Sequence, residues 1–145
     1  FSKGYGMAGM RGAVLMGNAK LINWVQKIRP MHEITNLTAL MIVELLTNQD
    51  YLNQYREFIN KGKTQIDISV DKNSYYLLTG DANFYLIKPK FMSQLNLKEY
   101  AKKHKILIRD AYVSSTLSGY FRITIGSYAQ NEEFLKLLDQ FKIEA

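Results

Sequence analysis

Ser2-Lys3-Gly4-Tyr5-Gly6-Met7-Ala8-Gly9-Met10-Arg11-Gly12 sets a lysine and an arginine eight residues apart across a run of glycines. Gly4 to Gly9 spells G-x-G-x-x-G, but that dinucleotide fingerprint has meaning only between a strand and a helix with an acidic residue on the next strand. Neither flank fits. Phe1 alone stands before Ser2-Lys3, and Gly12-Ala13-Val14-Leu15-Met16-Gly17 reads as a short buried strand rather than a helix start. A Walker A loop fails as well, because no Gly-Lys-Ser/Thr follows.

The same stretch resembles the cofactor-lysine motif of the fold-type I aminotransferases, most closely the histidinol-phosphate aminotransferase branch. There, Ser-Lys is followed by a glycine-rich turn and an arginine. The resemblance extends to the C-terminus and implies an α+β chain: residues 1–32 as the end of a large cofactor-binding α/β domain, and residues 33–145 as a C-terminal small domain. It also implies pyridoxal 5'-phosphate as cofactor, Lys3 as the catalytic amine, and Ser2, Lys3 and Arg11 as cofactor-binding residues.

Chemistry explains those residue types. A lysine amine condenses with an aldehyde and, once displaced, serves as a base at the substrate carbon. A phosphate dianion is best met by a bidentate guanidinium, a hydroxyl and backbone amides, and glycines let the backbone approach closely enough to offer them. Against this stands the ordinary reading of a terminal lysine as solvated and of a glycine cluster as a flexible loop.

Composition bounds the rest. With 145 residues, 47% apolar and 22% charged, the chain can bury one ordinary core. No apolar run approaches the roughly 20 residues that span a bilayer, and no signal-peptide pattern opens the chain, so no membrane partner is expected. There is no cysteine, and His32 and His104 are far apart, so no metal site is expected. The chain opens on Phe1 with the motif already under way, which suggests a polypeptide extending upstream. In the resembled family the residues that hold the cofactor ring come from that earlier part, so the 145 residues alone are expected to be inactive.

Periodicity lays out the elements. Asn18 caps a helix carrying Leu21, Ile22, Val25 and Ile28 on one face, stopped at Arg29-Pro30. Thr35 or Asn36 caps a second helix, and Leu52, Tyr55 and Ile59 suggest a third ending near Gly62. Residues 64–73 are contested: Ile66, Ile68 and Val70 alternate as in a strand, while the family register favours helix, and helix is preferred here. Strands are read at Tyr76–Leu78, Asn83–Ile87, Ile106–Ile108 and Tyr120–Ile125. Asn96 with Glu99 caps a helix over 97–104, and Asn131 is read as the cap of a last helix with Phe134, Leu137, Leu138 and Phe141 on one face.

Gly119-Tyr120-Phe121-Arg122-Ile123-Thr124-Ile125-Gly126 resembles the family segment whose arginine grips the substrate carboxylate, and Arg109 resembles a second anion-binding arginine. Alternation puts Arg122 with Thr124, opposite Phe121, Ile123 and Ile125. By itself such an arginine is most often solvated or in a surface ion pair. Met31-His32-Glu33 follows Arg29-Pro30 where members of the resembled family carry a substrate-facing turn, and departs from their more usual aromatic and asparagine pattern.

The resemblance implies transfer of an amino group between an amino acid or amino-alcohol phosphate and 2-oxoglutarate, in a cytoplasmic homodimer. Two other readings compete: a phospho-amino acid decarboxylase with the same cofactor, and a noncatalytic interaction domain. The net charge of +6 and the lysines at 88, 90, 98, 102, 103 and 105, with Arg109, Tyr100 and Tyr112, raise nucleic-acid binding. No reader motif accompanies them and acids interrupt them, so no nucleic-acid partner is expected.

Overall fold

Short polar side chains set the helix starts in this chain. Asn18 Oδ1 accepts from Lys20 N at 2.9 Å at the head of α1 (Ala19–Ile28), and Thr35 Oγ1 accepts from Thr38 N at 3.1 Å at the head of α2 (Asn36–Thr47). Arg29, which precedes Pro30, is extended at φ −71° and ψ 148°, because the proline ring crowds a helical conformation at the residue before it. α1 therefore ends where the sequence predicts. The computed structural model describes all residues except 32, 94 and 112–114, so His32 and Tyr112 of the sequence reading lie outside the described residues.

The chain divides into two units, Phe1–Arg56 and Glu57–Ala145, with the division falling inside α3 (Gln49–Ser69). In the first unit a single 3-10 turn, Ala8–Met10, follows the glycine-rich opening and leads into irregular chain up to α1. The pattern of residues 12–17 suggests a buried strand, but the structure gives them no regular form and leaves Met16 86% exposed. A strand needs a neighbour for its N–H and C=O groups. The described ladders offer none here, since all of them lie in the second unit. α2 is apolar on several sides, with Leu37, Leu40, Met41, Val43 and Leu46 exposed.

In the second unit, β1 (Tyr75–Thr79), β2 (Phe84–Pro89), β3 (Arg109–Asp110) and β4 (Phe121–Thr124) form an antiparallel sheet in the order β1-β2-β4-β3. Tyr75, Tyr85, Ile87, Phe121 and Ile123 share one buried face. With it in the core are Leu97 and Tyr100 of α4 (Leu97–Lys103), Phe134, Leu137, Leu138 and Phe141 of α5 (Tyr128–Glu144), and Ile59 and Ile66 of α3. Tyr75 Oη donates to Leu138 O at 2.7 Å, so a buried hydroxyl has its partner. The unit is α+β, as expected.

Three boundaries differ from the sequence reading. α3 does not stop at Gly62. It runs to Ser69, and the burial of Ile66 and Val70 against the exposure of Ile68 follows the four-residue spacing of a helix face instead of the alternation of a strand. Gly62 is a close-packing residue, lying where a side chain would meet Ile125 and Asn131. α5 is capped by Ser127, not Asn131: Ser127 and Gln130 form a reciprocal capping box. Asn131 is instead buried inside the first turn, accepting from Gly126 N at 3.0 Å and donating to Gln65 Oε1 at 3.1 Å. The third strand pairs at Arg109–Asp110 and not at Ile106–Ile108, which follow Lys105 in a left-handed conformation at φ 62°.

Candidate functional site

Ser2, Lys3 and Arg11 belong to the first unit, Arg109 and Arg122 to the second. Each set is built by its own local structure.

The opening segment folds back on itself through three backbone bonds: Met7 N to Phe1 O at 3.1 Å, Gly6 N to Lys3 O at 3.0 Å, and Met10 N to Met7 O at 3.1 Å. Gly6 takes φ 66°, a left-handed turn position that a side chain strains. Met7 is buried and anchors the segment, while Ser2 and Lys3 are exposed. Phe1 and Tyr5 pack ring on ring with centroids 5.4 Å apart. Arg11 closes the 3-10 turn at φ 55° and ψ 24°, an uncommon left-handed conformation for a residue with a side chain.

Among the described residues, the side chains of Ser2, Lys3 and Arg11 take no hydrogen-bond or ion-pair partner. A primary amine, a hydroxyl and a guanidinium thus stand exposed on one short glycine-rich segment. That donor set suits a ligand carrying both an aldehyde and a phosphate: the amine can bond carbon, and the guanidinium and hydroxyl can meet anionic oxygens.

In the second unit the open sheet face carries the other two arginines. Arg122 on β4 lies directly opposite Arg109 on β3 and opposite Leu86 on β2. Arg109 is exposed and Arg122 half-buried, its guanidinium carbon 5.3 Å from the centre of the Phe84 ring. Such stacking helps to fix the plane of the fork. The neighbouring lysines are engaged: Lys88 Nζ donates to Ser118 O at 3.0 Å, Lys90 Nζ lies 4.6 Å from the Tyr76 ring, and Lys98 pairs with Asp110, which holds the Lys98 ammonium above its usual pKa. Of these three, only Lys98 has its charge compensated by an ion pair among the described residues. No described helix is long and apolar enough to cross a membrane.

These five residues are the sequence-based candidates, and the structure adds contacts around them that the sequence did not single out. Thr38 of α2 is 2% exposed, and its Oγ1 donates to Met10 O at 3.1 Å. The only prior signal was its place three residues after the Thr35 cap, where a threonine reads as part of the cap. Phe84, against which Arg122 stacks, carries in the sequence only the signal of a strand residue in a segment, Ala82-Asn83-Phe84, that resembles the family.

The sequence pattern of the family described as aminotransferase class I and II matches residues 1–138. The chain belongs to that family. It is 30% identical over 141 residues to a histidinol-phosphate aminotransferase of Pyrococcus furiosus, covering 97% of this chain and 38% of that protein. Among solved structures, histidinol-phosphate aminotransferase from Sinorhizobium meliloti in complex with pyridoxal-5'-phosphate matches with a TM-score of 0.81 at 22% identity, over 100% of this chain and 40% of that one. L-threonine-O-3-phosphate decarboxylase from Porphyromonas gingivalis matches with a TM-score of 0.80 at 24% identity, over 100% of this chain and 45% of that one. The chain thus has the fold of the corresponding part of these enzymes and spans about two fifths of their length.

Proposed function

We propose that this chain is part of a pyridoxal phosphate-dependent aminotransferase that moves an amino group between an amino acid or amino-alcohol phosphate, of histidinol-phosphate type, and 2-oxoglutarate. The observation that carries the reading is the exposed set of Lys3, Ser2 and Arg11, without a side-chain partner among the described residues, on a hydrogen-bonded glycine turn in a chain of this family. The bound cofactor supplies an electron sink for negative charge at the substrate α-carbon.

This chain's residues do the rest. Lys3 Nζ holds the cofactor aldehyde and, as a free amine, takes and returns the proton at the α-carbon. Arg11 and Ser2 hold the phosphate. Arg122 and Arg109 bind the substrate's anionic groups, a carboxylate in one half-reaction and a phosphate ester in the other, which suits two guanidinium forks. In the whole protein, residues 1–32 are assigned to the end of the cofactor-binding domain and 33–145 to the small domain. The whole protein is assigned as a cytoplasmic homodimer, and the 145 residues alone as inactive.

Replacing Lys3 tests this. In the protein as its gene encodes it, Lys3→Ala should abolish both the visible absorbance of lysine-bound cofactor and borohydride fixation of the cofactor to the peptide holding residue 3. Persistence of both signals would refute the assignment. Decarboxylation is the second reading, supported by the equal likeness of fold to the Porphyromonas decarboxylase. Release of carbon dioxide without a keto acid would select it, and amino exchange with 2-oxoglutarate would exclude it.

A further inference from the structure

Arg11 is held in a costly conformation, and the residues on both sides of it are gripped by one helix. Before it, the carbonyl of Met10 accepts from Thr38 Oγ1 at 3.1 Å. After it, Gly12 is buried so close to α2 that an added Cβ would lie 2.8 Å from Thr38 Cγ2 and 2.8 Å from Ile42 Cδ1. Between these two points Arg11 adopts φ 55°, which a side-chain-bearing residue keeps only when its surroundings impose it.

Thr38 is itself held. Its backbone N–H donates to Thr35 Oγ1 at 3.1 Å, and the two hydroxyl oxygens stand 3.0 Å apart. Since the Thr38 hydroxyl proton goes to Met10 O, the Thr35 hydroxyl donates to Thr38 Oγ1, and each of these two hydroxyls has an acceptor for its proton. The cap of α2 is therefore wired to the peptide unit that aims Arg11.

We propose that Thr38 is a positioning residue for anion binding: its hydroxyl and methyl group hold the Met10–Gly12 backbone so that the Arg11 guanidinium is presented to the cofactor phosphate. This rests on the assignment of Arg11 to that phosphate. Thr38 touches no ligand, and it acts by restricting where Arg11 can point.

The phosphate makes the test selective, because pyridoxal carries the same aldehyde without it. In the protein as encoded, dissociation constants for pyridoxal phosphate and pyridoxal are measured by spectral titration for the parent, Arg11→Gln, Thr38→Val and Thr38→Ser. Arg11→Gln checks the underlying assignment: it should erase most of the preference for the phosphorylated form, and an unchanged preference would refute the assignment of Arg11. Thr38→Val should weaken pyridoxal phosphate by about three- to tenfold, the loss expected from one hydrogen bond, with pyridoxal unchanged, and Thr38→Ser, which keeps the hydroxyl but not the methyl group, should restore most of the preference. With Arg11→Gln behaving as expected, two results would overturn the proposal and leave the assignment standing: a Thr38→Val ratio equal to the parent's, or equal weakening of both ligands. Where Thr38→Val does not fold, Thr38→Ala removes the same hydroxyl without adding bulk beside Gly12, and the same two outcomes decide.

Discussion

Gly62→Ala sets two effects of opposite sign against each other. In the interior of α3, alanine is favoured over glycine by about 1 kcal/mol, because glycine loses more backbone freedom on folding. The site opposes it. A Cβ on residue 62 would collide with Ile125 Cγ2, with Asn131 Nδ2 3.1 Å and Gly126 O 3.7 Å away, and none of these is the far end of a flexible side chain. Ile125 and Asn131 are both buried, and Asn131 is tied to Gly126 and Gln65, so the neighbours have little room to give. Overpacking of this kind costs about 1–3 kcal/mol, and a contact this close belongs to the upper part of that range. The expected net loss is about 1–2 kcal/mol, or roughly 5–15 °C in melting temperature for a unit of this size. Thermal unfolding followed by circular dichroism reads it directly. Ile125→Leu removes the offending β-branch, so the double variant should recover part of the loss, with a coupling of at least about 0.5 kcal/mol. A Gly62→Ala protein as stable as the parent would refute the packing argument.

Two further predictions concern charge. Arg122→Lys keeps the charge but loses the planar fork, so the Michaelis constants should rise by roughly 10–100-fold while kcat changes little; unchanged constants would remove Arg122 from substrate binding. Asp71 accepts from Lys142 Nζ at 2.5 Å, Ser74 Oγ at 2.7 Å and Asn73 N at 2.9 Å, and these donors, Lys142 foremost, hold its carboxyl well below the usual 3.8. A depressed folded-state pKa stabilises above the unfolded value and loses that effect as pH falls through the folded one. Asp71→Asn should therefore be less stable than the parent at neutral pH, with the gap closing below about pH 4 in denaturant titrations. A gap that widens on acidification would contradict this.

Much of the fold was legible because it is written in local chemistry. Asn18, Thr35 and Asn96 cap helices where the sequence places them, and the alternation around Arg122 gives the right faces of β4. The misreadings share a cause, which is that pattern cannot see partners. Residues 12–17 and 106–108 are apolar enough for strands, but a strand exists only beside another, and β4 meets its neighbour at Arg109. Ser127 and Asn131 both satisfy a cap pattern four residues apart. Only the structure shows that Asn131 is spent on Gln65 and Gly126. The candidate site follows the same rule: Lys3 and Arg11 stand out as candidates because their chemistry is rare in a glycine run, whereas the proposed role of Thr38 rests on a contact 28 residues away in sequence.

The facing arginines of β3 and β4 have a consequence for the sheet itself. Like charges placed directly across an antiparallel pair repel, and here one of the two sits on a two-residue strand at the sheet's margin. An anion lodged between them would turn that repulsion into a shared attachment and tighten the margin as it binds. Were Arg109 and Arg122 to hold an anion as proposed, occupancy and edge order would rise and fall together.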